Sequence, residues 1–221
     1  MDDKYLKLAR QAREENNTED AKKFYDMART EDPENVEAKF YYAYFNLNDA
    51  IVKEVPNKFI DYCKVALASV KMLKESEMDE KAKKELLADI ASTHASEAVS
   101  MYRYVESHRD RSRSDYVDPN GFYDFSQVNA VQLSAIHSLD DMGNFIANSF
   151  GDDPEAMKLA ADLWKGIFAV KIFSQWYFFQ SASGNKEESK KKWHELVEKI
   201  QKVDSSFATP EEPKAVQCGS K

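Results

Sequence analysis

The stretch from Asp79 to about His108 constrains this chain most, because neither glycine nor proline interrupts it and its apolar residues keep one helical seam. Leu87, Ala91, His94, Ala98, Met101 and Val105 follow one another in steps of four and three, the spacing of coiled-coil-like packing. A helix of that length needs long neighbours, and the sequence supplies them. Asn57 opens a helix to about Lys74 with Ile60, Cys63, Leu67 and Val70 on one face. Ser126 opens another to about Phe150, with Val128, Val131, Ala135, Leu139, Met142 and Ile146 inward. Asp153-Pro154 has the cap-then-proline order of a helix start, and that helix is expected to continue to about Ala182. Its polar stripe of Lys158, Asp162 and Lys165 gives way to Ala169, Ile172 and Trp176. Lys186 to about Ser206 follows, with Trp193, Val197 and Ile200 facing in. Glycine and proline number six each in 221 residues, below their usual shares of about 7% and 5%. Few turns are therefore available, and no segment reads as a strand.

Shorter helices precede these. Tyr5, Leu8, Ala9 and Ala12 recur at i, i+3, i+4 and i+7 on a first helix that starts near Asp2 or Asp3. Asn16-Asn17 suits the left-handed turn of a helix end, and Thr18, followed by Glu19 and Asp20, reads as the cap of a second helix. That helix carries Ala21, Phe24, Tyr25 and Ala28 inward and stops at Asp32-Pro33. Asn35 to Leu47 is a third, with Ala38 and Ala43 small and Phe40, Tyr44 and Leu47 large. The stretch Asn48 to Asn57 then breaks the pattern with Pro56.

In Tyr5, Leu8, Ala9, Ala21, Tyr25, Ala28 and Pro33 the hairpin resembles a tetratricopeptide repeat, a unit of about 34 residues. Ala12 stands where that family prefers tyrosine and Asn16 where it prefers glycine. The likeness extends over residues 2–47. It implies that the first helix of each hairpin lines a concave groove, which would bring Leu6, Arg10, Arg13, Phe40 and Tyr44 together as a partner-binding face. Family members that clamp a terminal carboxylate carry lysine and asparagine where this chain has Leu6 and Arg10.

The expected architecture is thus all-α, about eight helices in total. A tetratricopeptide-like hairpin plus third helix occupies residues 1–50, an antiparallel bundle of long helices packs on it over 51–207, and 208–221 is a disordered tail. The third helix lacks its repeat partner, and the fourth helix is expected to cover it, leaving a monomer.

A net charge of −8 and a pI near 5.2 argue against nucleic acid or an anionic membrane as partner, since both need a concentrated positive field. Cys63 and Cys218 are the only cysteines, which suggests no disulfide framework and favours a reducing, cytoplasmic setting. The acidic start Met1-Asp2-Asp3-Lys4 leads into no apolar signal region. The run from Leu163 to Phe179 is the most apolar in the chain, yet Lys165, Lys171 and Gln175 interrupt it. A buried helix is expected there and not a membrane span, which wants roughly 20 nearly uncharged residues.

Chemistry-bearing constellations are sparse. His94 with Glu97, and His137 with Asp140 beside Asp141, each place a nitrogen and an oxygen on one helix face, so a metal-binding bundle, protein or enzyme, is the alternative function. Carboxylate-bridged bundles use Glu-x-x-His in the opposite order. The plainer expectation is that His94 is a hydrogen-bonded core residue and His137 sits at a polar margin. His108 and His194 lie among charges, and Cys63 lies on an apolar face where a thiol packs. No nucleophile elbow, phosphate loop or dinucleotide fingerprint is present. Cys218 lacks the second cysteine of a zinc knuckle. Arg109, Arg111 and Arg113 alternate with Asp110 and Ser112 in a polar segment read as a mobile loop. The expectation is a non-enzymatic interaction or scaffold protein with a protein or peptide partner, no cofactor and no metal.

Overall fold

A computed structural model describes residues 4–108, 125–169 and 186–211. The described residues form eight α-helices and no strand: α1 (Lys4–Glu14), α2 (Thr18–Glu31), α3 (Val36–Asn48), α4 (Val55–Glu75), α5 (Glu80–Ser107), α6 (Phe125–Phe150), α7 (Pro154–Ala169) and α8 (Lys186–Val203). A single 3₁₀ turn, Val52–Glu54, leads into α4. The arginine triplet of residues 109–113, the expected continuation of α7 beyond Ala169 and the tail from residue 212 lie outside the described residues.

Local chemistry accounts for the helix ends. Asn16 has φ of 56°, the left-handed conformation that asparagine tolerates better than most side chains. Around it the Asn17 amide donates to the Ala12 carbonyl at 2.8 Å and the Asn16 amide to Arg13 at 3.1 Å, the pair of bonds that ties off orphan carbonyls at a helix end. Asn17 also caps α2, its side chain accepting from the Asp20 amide. The cap is therefore Asn17 and not Thr18, one residue earlier than the sequence pattern suggested. Asn35 and Asp79 cap α3 and α5, each accepting from the amide three residues on. Pro56 does not break the chain but sits in the first turn of α4, where a missing amide hydrogen is harmless.

Packing proceeds in two parts that share α4. In the first, α1 packs on α2, α2 on α3 and α3 on α4. Ala9, Ala21 and Ala38 are fully buried, so small side chains sit inside this stack. In the second, α4 packs on α6, α6 on α7, α7 on α5 and α5 on α4. That ring of four is the bundle, with α5 also touching α6 and α8 adding to α7. The buried residues from Leu6 to Ile200 form one cluster. The expected neighbour of α3 is supplied within the chain, by α4.

The inward face of α6 is the expected one throughout, from Val128 to Ile146. In α4 it is rotated. Ile60 and Leu67 are only half-buried, while Phe59, Tyr62, Ala66, Ser69 and Leu73 are in the core. Because α4 is apolar on most sides, its neighbours decide which stripe turns inward. Among the described residues, no helix is long and apolar enough to cross a membrane.

Candidate functional site

Of the five residues expected to make a partner-binding face, Leu6 and Phe40 are in the core at 6% and 0% exposure. Leu6 shares the buried face of α1 with Ala9 and Ala12. Phe40 is enclosed because α4 packs on α3, bringing Tyr62 to 5.9 Å between ring centroids. Neither can meet a partner without unpacking the stack.

Arg10 reaches across to α3. Its Nε donates to Glu37 Oε1 at 2.9 Å and its Nη2 to Oε2, a two-pronged ion pair. The Tyr25 hydroxyl donates to the same Glu37 Oε1 at 3.2 Å. Burial, foremost, and then the Glu37 charge hold the Tyr25 phenol well above its ordinary range, so it stays a protonated donor. Three helices are clasped at this one carboxylate.

Arg13 and Tyr44 do converge. Arg13 donates to Asp89 of α5 at 2.9 Å, and its guanidinium lies 4.1 Å from the Tyr41 ring centroid, a favourable cation–π arrangement. Tyr44 meets Tyr41 edge-on at 6.1 Å. With Asn16, Asp89 and Thr93 they line a cleft of about 280 Å³ between α1, α3 and α5. Asp89 and Thr93 escaped the sequence-level reasoning because they lie 76 or more residues beyond Arg13, with nothing in their own helix to mark them.

Behind this cleft lies a buried polar cluster. The Ser138 hydroxyl donates to the Ala135 carbonyl at 3.0 Å, which uses its one hydrogen. It must then accept from His94 Nε2, 3.1 Å away, so His94 carries its proton on Nε2 and leaves Nδ1 as an acceptor. Burial lowers His94 to about 4, so the ring is neutral. This is the hydrogen-bonded core histidine expected from its seam position. One helical turn on, burial raises Glu97 to about 6. Among the described residues His94 Nδ1, Glu97 Oε1 and Tyr62 Oη have no hydrogen-bond partner. The Tyr62 and His94 rings lie 5.6 Å apart. Cys63, pushed up to about 12 chiefly by burial, is a packed thiol and not a nucleophile.

The second histidine pair goes elsewhere. His137 is exposed on α6, and it is its neighbour Ser138 that turns toward His94. Asp140 accepts from Asn144 at 2.9 Å, and its surroundings include Lys199 of α8. A shift of one residue on a helix is about 100°, which is why two pairs of the same spacing face different neighbours. No group of three or more His, Cys, Asp or Glu among the described residues is arranged to hold a metal. No family model, curated protein or solved structure matches the chain.

Proposed function

We propose that this chain is a non-enzymatic interaction protein whose tetratricopeptide-like amino-terminal helices dock a protein or peptide partner. The observation that carries this reading is the convergence of Arg13 and Tyr44, from two different helices, on one cleft. In a repeat stack the inner face stays open along several hairpins. Here α5 lies across that face, held through Asp89, so the docking site is short. About 280 Å³ suits one or two side chains of a partner and not an extended peptide.

The cleft offers both signs of charge, in Arg13 and Asp89, with tyrosine rings and the Thr93 hydroxyl between them. Such a lining favours a partner side chain with an apolar body and a polar tip, since the rings bury its body and the ions orient its end. Position 44 can be tested with a photo-crosslinking residue, Tyr44→p-benzoylphenylalanine, against Ile51→p-benzoylphenylalanine at the exposed end of the 3₁₀ segment. A discrete adduct from position 44, absent from position 51 and lost on Thr93→Arg, is expected in the native cell. Adducts of the same pattern from both positions, or none from position 44, would discard the cleft as the docking site.

A further inference from the structure

A second hollow, on the side of α3 away from α5, has no part in that reading. It lies where α3 and α4 pack, has a volume of about 380 Å³, and is floored by Ala43, Ala68 and Ser69. Small residues at the crossing leave the space, and Tyr42, Val65 and Met72 wall it. Ser69 is 1% exposed, and its hydroxyl has no hydrogen-bond partner among the described residues.

The rim is cationic on a chain that is acidic overall. Arg29, Lys39 and Lys58 stand against Asp61 alone. Among the described residues each cation pairs with an acid at the surface: Arg29 with Asp26, Lys39 with Glu34 at 3.7 Å and Lys58 with Glu54 at 3.2 Å. Exposed pairs of this kind contribute little, and an incoming anion can replace them. Lys39 Nζ also sits 3.6 Å from Met72 Sδ, so its charge lies at the edge of the apolar wall. Arg29 is stacked 3.8 Å from the Tyr42 ring centroid and is fixed in place there.

From these features we infer that the α3–α4 hollow binds a small organic carboxylate with a compact apolar body. The carboxylate meets Lys39 and Arg29 at the rim, and the body fills the space beside Ala43 and Ala68. The volume lies at the low end of the 300–1,000 Å³ typical of small-molecule sites, which are likewise mostly apolar with a few placed polar groups. A partner helix would need a longer trough than this single hollow.

The test uses the full chain, with 1-naphthaleneacetate and its neutral amide, 1-naphthaleneacetamide, as probes in amide-correlation NMR titrations. The carboxylate is expected to shift amides around Ala43 and Ser69 and to bind at least about tenfold more tightly than the amide, a difference of about 1.4 kcal/mol. Lys39→Glu combined with Lys58→Glu should remove that preference. Ala68→Trp, at an exposed position, should abolish binding with the helical circular dichroism unchanged. Equal binding of the two probes, shifts confined to another part of the protein, or no shifts at millimolar probe would overturn the inference. So would an acidic amphipathic peptide that shifts these amides when the naphthyl carboxylate does not, since the hollow would then belong to a protein partner.

Discussion

Glu37 and Glu97 are both buried glutamates on helices that pack against α4, yet their surroundings are opposite. Glu37 receives Arg10 on both oxygens and the Tyr25 hydroxyl as well. Glu97 has an oxygen with no partner among the described residues and is raised to about 6 by burial. The amino-terminal stack thus turns an inward charge into a clasp, because a cation on the neighbouring helix can reach it. The described residues around Glu97 include the Tyr44 and Tyr62 phenols and the Cys63 thiol, and desolvation sets its shift. A buried carboxylate is therefore stabilising or destabilising according to its partner and not its depth.

The contrast can be broken most strongly through pH. His94 has a folded value of about 4 against an ordinary 6.5, so its contribution is complete above pH 6.5 and is lost as pH falls toward 4, about 3 kcal/mol in all. Glu97 runs the other way: raised from 4.5 to about 6, it contributes stability below pH 4.5 that is lost as pH rises through 6, about 2 kcal/mol. The two largely offset each other between pH 7 and 4. Urea unfolding of the wild type should therefore lose only about 1 kcal/mol over that range, while Glu97→Gln should show the full loss from His94, about 3 kcal/mol.

Arg10→Met is the next largest change, a destabilisation of about 2 kcal/mol, because it strands the buried Glu37 carboxylate with its charge unpaired. Adding Glu37→Leu should recover most of it. A double variant less stable than Arg10→Met alone would mean that the clasp is not what holds α1 to α3. At neutral pH, Glu97→Gln should raise stability by about 1–2 kcal/mol, since an ionised group with an unpaired oxygen is replaced by a neutral one. If that variant is instead destabilised at pH 7, Glu97 has a partner in solution and the contrast with Glu37 fails. Arg13→Ala should cost the least, about 0.5–1 kcal/mol, because both it and Asp89 are about a third exposed.

Much of the fold was legible because helix ends and faces are written locally. Asp79 stands at the start of α5, where the uninterrupted stretch was expected to begin, and α6 alternates so regularly that only one face could be inward. The long neighbours followed from the length of α5. What escaped was set by contacts between distant segments. Nothing near Leu6 or Phe40 shows that α4 and the rest of the stack enclose them, and nothing in α4 ranks Tyr62 and Ser69 above Ile60 and Leu67 as core. Glu97 is polar in sequence and buried in fact because α5 has neighbours on more sides than a two-helix seam would give it. Of the candidate cleft, Arg13 and Tyr44 were reached through what the tetratricopeptide resemblance implies, while Asp89 and Thr93 depended on where α5 crosses.

The turn at Asn16 and Asn17 has a further consequence, in the order of events during folding. One asparagine closes α1 while capping α2, so the hairpin needs almost no loop to be ordered and its contacts are all short in sequence. The Arg13–Asp89 pair instead closes a separation of 76 residues. Loop-closure entropy rises with that separation, and short-range contacts form sooner. The hairpin is therefore the segment best placed to assemble while the chain is still emerging, and the cleft, which needs α5, is completed only when the bundle arrives.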